Sequence, residues 1–93
     1  MIARRVWRYA VEPSTGVIEI PTPGDAKVLS IGPSREGLSV WIEVEPDAPE
    51  SITSLYVIGT GWPVPEGARH VGTHTTAGGF VWHLYVPEVD SDD

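Results

Sequence analysis

Hydrophobic and polar residues alternate with a period of two along most of the chain. The clearest run is 38 to 45, where Leu38, Val40, Ile42 and Val44 point one way and Ser39, Trp41, Glu43 and Glu45 the other. That rhythm predicts a half-buried strand with one core face. The run 79 to 86 repeats it with Phe80, Trp82, Leu84 and Val86 on one side, but Val81, His83 and Tyr85 make the second side apolar as well. A strand of that kind is central in its sheet or covered by another chain. Prolines at 13, 21, 23, 33, 46, 49, 63, 65 and 87 break every long helical window, since each costs about 3 kcal/mol in a helix interior. The pattern predicts strands near 4 to 12, 16 to 20, 26 to 31, 38 to 45, 51 to 60, 69 to 75 and 79 to 86. The fold class is therefore all-β: a small antiparallel sandwich or partly open barrel of about six or seven strands, with no long helix.

Turn chemistry assigns the neighbours. Ser34 to Gly37 reads as a hairpin turn pairing 26 to 31 with 38 to 45, and Thr76 to Gly79 as one pairing 69 to 75 with 79 to 86. Ser14, Thr15 and Gly16 are expected to join the first two strands in the same way, giving a meander. Residues 1 to 87 form one β domain, and 88 to 93, with four acidic residues, form a disordered acidic tail.

Composition narrows the chemistry. The 93 residues carry 13 acidic against 6 basic side chains, a formal charge of -7, which is the wrong sign for capture of a nucleic-acid backbone. No cysteine is present, so thiol catalysis, disulfides and cysteine-ligated metals are excluded. No apolar run approaches the roughly 20 residues that span a bilayer, and the basic start at Arg4, Arg5 and Arg8 precedes no signal-like apolar region. No phosphate-binding glycine loop, nucleophile elbow or zinc-protease motif occurs. The expectation is a non-enzymatic protein with no cofactor, no metal, no membrane and no nucleic-acid partner.

Several residues remain as candidates for binding. His70 and His74 fall on one face of a regular strand about 13 Å apart, too far to share an ion. His83, between large aromatics, is ordinarily a hydrogen-bonded imidazole at a sheet face or subunit contact. Gly59-Thr60-Gly61-Trp62-Pro63-Val64-Pro65 holds an indole between rigid prolines, as an anchor residue would be held, although a tryptophan packing its own loop accounts for it equally well. Val71-Gly72-Thr73-His74 echoes Ile58-Gly59-Thr60-Gly61, so two strands are able to bring Gly-Thr steps together. Trp41, Trp62, His83 and Tyr85, with Thr60 and Thr73 as polar donors, are the candidate contacts, and Trp62→Ala is expected to weaken partner capture. Arg5, Arg8 and Trp7, with the Gly-Thr amides, form a competing site for a small anion such as a nucleotide signal. The ordinary account of that strand is an edge kept soluble by charge.

The set V-W-R-Y, I-E-I-P, S-V-W-I-E-V-E-P, Y-V-I-G-T-G-W-P-V-P, H-V-G-T and G-G-F-V-W-H-L-Y, over about residues 4 to 86, resembles a family of short phage and prophage proteins of unknown function. That family more usually has T-G-H where this chain has Thr60-Gly61-Trp62, so no histidine role carries over to Trp62. The resemblance implies a phage protein made in the host cytoplasm, and arginine-over-lysine usage suits an actinobacteriophage. The expected function is an accessory protein that binds a host protein or self-assembles as a homo-oligomer. A nucleotide-signal sponge acting against host defence and a minor structural virion protein are the alternatives.

Overall fold

The computed structural model describes residues 3–88, an all-β chain of seven strands: β1 (Arg5–Ala10), β2 (Ile18–Pro23), β3 (Lys27–Ser34), β4 (Gly37–Val44), β5 (Glu50–Gly59), β6 (Ala68–Thr75) and β7 (Val81–Pro87). They form two antiparallel sheets, β1-β4-β3 and β2-β5-β7-β6, which do not close into a barrel. The architecture is a small β sandwich, and among the described residues no helix is long and apolar enough to cross a membrane. The expected acidic tail lies, apart from Glu88, outside the described residues.

The two-residue rhythm of β4 does what it predicts. Val40, Ile42 and Val44 are completely buried, facing Leu55 and Val57 of β5 and Leu84 of β7 across the core. Burying each such side chain contributes roughly 1.5–3 kcal/mol, so these six residues are the main adhesive between the sheets. Trp41 and Glu43 face outward and are half-buried. β7 is apolar on both sides because it is central, flanked by β5 and β6.

Gly37 closes the β3–β4 hairpin at φ 106° and Gly79 the β6–β7 hairpin at φ 94°, backbone conformations that residues with a Cβ rarely adopt. The expected hairpin between the first two strands does not form. β1 pairs with β4 and β2 with β5, and residues 11 to 17 instead carry the chain from one sheet to the other, with the Val11 amide bonded to the Leu38 carbonyl and the Ser14 amide to that of Val57. A tight β1–β2 hairpin would have placed both strands in one sheet and left β4 and β5 without these partners.

Two further expectations change. β2 runs on through Pro21 and Pro23, which an edge strand tolerates because one side of its backbone has no ladder to satisfy. Phe80 precedes β7 and is 66% exposed, not in the core; its ring stacks on Trp82 with centroids 6.2 Å apart.

Candidate functional site

The sandwich has four edges, β1 and β3 in one sheet and β2 and β6 in the other. Unpaired strand edges invite pairing with another chain and are usually blunted by proline, bulges or charge. Pro21 and Pro23 interrupt β2, Pro33 and a bulge between Val28 and Ser30 interrupt β3, and a bulge between His70 and Gly72 distorts β6. β3 also lies against β6 across the sandwich, where Ile31 sits over Gly72. β1 has neither device: its register with β4 runs unbroken from Arg5 opposite Val44 to Ala10 opposite Ser39.

β1 also presents apolar groups on both faces. Val6, on the outer face, is 54% exposed and Trp7, on the inner face, 40%. Trp7 and Tyr9 form one wall of a cleft of about 420 Å³, opposite Pro21, Thr22 and Pro23 of β2, with Pro46 and Ala48 also lining it. Thr22 is buried and hydrogen-bonded to Thr53 at 2.6 Å, which holds the β2 wall on β5. Burial raises the Tyr9 phenol above its ordinary value of 10.0.

The arginines of this strand separate. Arg8 faces outward beside Trp41 and is held by Glu36 at 2.7 Å and by the Ser39 hydroxyl at 3.2 Å. Arg4 is held by Glu43 at 2.6 Å. Arg5 belongs to the inner face with Trp7, so the four proposed parts of an anion site do not converge: Arg5 and Trp7 share a face, Arg8 is on the other, and both Gly-Thr steps are in the second sheet. Trp41 packs on its own sheet over Gly32.

A second constellation lies on the outer face of β5, β7 and β6. Thr60 Oγ1 is 2.9 Å from His83 Nε2, His83 Nδ1 is 3.1 Å from Thr73 Oγ1, and Thr73 Oγ1 is 2.9 Å from His70 Nε2. His70 meets Tyr85 edge-on, with centroids 5.3 Å apart. Thr60, Thr73, His83 and Tyr85 are thus brought together, with the two Gly-Thr steps on either side of β7. Trp62 stands apart: half-buried, it packs edge-on against Trp82 at 5.7 Å, over Gly59, where a Cβ would come within 3.1 Å of its ring.

The bulge at Val71 builds this row. In a regular strand His70 and Thr73 point to opposite faces, but the extra residue sets His70 opposite Tyr85 and Thr73 opposite His83, both outward. The same bulge turns His74 inward opposite Trp82, so His70 and His74 do not share a face as strict alternation predicted. Among the described residues no cluster of three or more metal-ligating side chains occurs. Sequence reasoning found Thr60, Thr73, His83 and Tyr85 but missed His70 as their neighbour. It also missed Tyr9 and the prolines of the cleft, for which the spacing of Pro21 and Pro23 in an otherwise β-like stretch is the available signal.

A family described as a domain of unknown function, DUF7352, matches residues 2–93. The chain belongs to that family. No curated protein and no solved structure matches it. Membership of DUF7352 fixes kinship over nearly the whole chain, and the chemistry has to be read from the edge, the cleft and the polar row.

Proposed function

We propose that this DUF7352 protein is a non-catalytic binding module, a phage accessory protein acting in the host cytoplasm, that captures an extended segment of a host protein at β1. The observation that carries the reading is that β1 alone, of the four edges, has neither proline nor bulge, and it borders the Trp7–Tyr9 cleft. An added strand gains main-chain hydrogen bonds from β1, while its alternate side chains enter the cleft or cover Val6, so the segment it suits is β-rich and uncharged. Capture from bacterial lysate by wild type, Val6→Lys, Trp7→Ala and Trp41→Ala, with size exclusion and intact mass of each, tests it. A specific protein should be retained by wild type and Trp41→Ala and lost with Val6→Lys and Trp7→Ala. Retention by all four refutes docking at β1, and assembly of the protein with itself through β1 replaces the host partner by a second copy.

A second reading, a sponge for a small anion, moves to another place. Lys27 and Arg69 line a recess of about 610 Å³ with the hydroxyl residues Ser51 and Thr53, and neither cation takes part in an ion pair among the described residues. Calorimetry against nucleotides, with Arg69→Ala as the control, tests it; heat unchanged in that variant removes the recess from consideration.

A further inference from the structure

The row on the outer face of β5, β7 and β6 has properties that the β1 edge does not share. Its outward positions from Ser54 to Thr60 on β5, and throughout β6 and β7, contain no Asp, Glu, Lys or Arg, in a chain with 13 acidic and 6 basic residues. Its polar groups are hydroxyls and imidazoles in one hydrogen-bonded series, Thr60–His83–Thr73–His70.

The donor inventory constrains that series. Thr73 Oγ1 carries one proton and meets an imidazole nitrogen on each side, at 2.9 and 3.1 Å, so between two neutral rings it donates to one and accepts from the other. If His83 Nδ1–H donates to Thr73, then Thr73 donates to His70 Nε2, and both rings are protonated at Nδ1. If His70 Nε2–H donates to Thr73, then Thr73 donates to His83 Nδ1, and both rings are protonated at Nε2. The two histidines therefore share a tautomer and change it together. In the first state Thr60 donates to His83 and keeps a free lone pair, while His70 Nδ1–H points to solvent. In the second Thr60 has a free hydroxyl proton and His70 Nδ1 a free lone pair. One end of the row is always a donor when the other is an acceptor.

A ligand that bridges the ends must match opposite polarities at the two contacts. Phosphate and carboxylate offer only acceptors, and ammonium and guanidinium only donors, so each satisfies one end alone. A carbohydrate hydroxyl does both and adapts to either direction of the row. The ends are separated by three hydrogen bonds and an imidazole, more than one sugar ring spans. Tyr85, half-buried beside His70, and Tyr56, opposite it on β5, add ring surface on the same face. The geometry points to a binding site for a neutral oligosaccharide, seated across β5, β7 and β6 and read at Thr60 and His70.

Two NMR measurements on the intact protein test this. Side-chain 15N spectra, recorded above the ordinary imidazole pKa of about 6.5, read the tautomers: His70 and His83 should match in wild type and become independent in Thr73→Val, an isosteric change at an exposed site. Opposite tautomers in wild type overturn the relay. Amide spectra titrated with maltotriose, cellotriose and triacetylchitotriose, with inorganic phosphate as the charged comparator, read the ligand. At least one trisaccharide should shift Thr60, His70, Thr73, His83 and Tyr85, with affinity reduced about tenfold in Thr73→Val and unchanged in Trp7→Ala. No response to any of the three, an equal response in Thr73→Val, or a response to phosphate alone overturns the assignment. Because Trp7→Ala leaves this site intact, either outcome is separable from the fate of the β1 reading.

Discussion

Exchanging the two threonines that pin β2 to β5 gives an asymmetric result. Thr22 is 1% exposed and its hydroxyl is bonded to Thr53 at 2.6 Å, while Thr53 is only half-buried. Thr22→Val removes the buried hydroxyl itself and leaves the Thr53 hydroxyl able to find water, so only the net value of a hydrogen bond is lost, about 0.5–1.5 kcal/mol. Thr53→Val leaves the Thr22 hydroxyl sealed without a partner, and its full desolvation penalty adds, about 1–3 kcal/mol. The double variant has no orphaned group and should be less destabilised than the sum of the singles, with a coupling on the order of 1 kcal/mol. Urea unfolding followed by tryptophan fluorescence measures all four proteins. Thr22→Val costing as much as Thr53→Val, or strict additivity, would refute the view that this bond is buried on one side only.

Gly24→Ala should be severe: the residue sits at φ 54°, and its new Cβ would lie 2.4 Å from the Cβ of Ala48, so strain and overpacking together cost about 2–4 kcal/mol in a urea melt. Leu84→Ala, at the completely buried centre of β7, should cost about 2–5 kcal/mol by the same assay. Phe80→Ala should change stability by less than about 1 kcal/mol, because the ring is 66% exposed and keeps only its stacking on Trp82. With its folded pKa raised, Tyr9 holds its proton where the unfolded chain has released it, so stability should fall as pH rises above about 10, and Tyr9→Phe should remove that part of the fall in chemical denaturation at stepped pH.

The strands were legible in the sequence because period-two patterning and proline spacing are local properties, and the glycine turns at Gly37 and Gly79 follow from the same local logic. The partners of β1 and β2 were not. A short Ser-Thr-Gly segment is compatible with a hairpin and with a crossing between sheets, and the choice is made by burial of residues far along the chain, Val40 and Ile42 for β1 and Leu55 for β2. The polar row was half legible: Thr60, Thr73, His83 and Tyr85 follow from alternation and the Gly-Thr echo. The contribution of His70 depends on the bulge at Val71, which no composition signal marks and which flips every later side chain of β6. The β1 edge was hidden for a different reason. Its three arginines read as a soluble edge or an anion site, and only the cross-strand carboxylates of Glu36 and Glu43 reveal that two of those charges are turned onto the protein itself.

Hydrogen–deuterium exchange resolved to single amides, on the protein alone and with its captured partner, tests the docking of a strand at β1 most directly. The account predicts that in the free protein the β1 amides facing away from β4 exchange fast, and that the partner slows them together with residues around Trp7 and Tyr9, leaving β2, β3 and β6 unchanged. Protection that appears on another edge while β1 continues to exchange as in the free protein would contradict it.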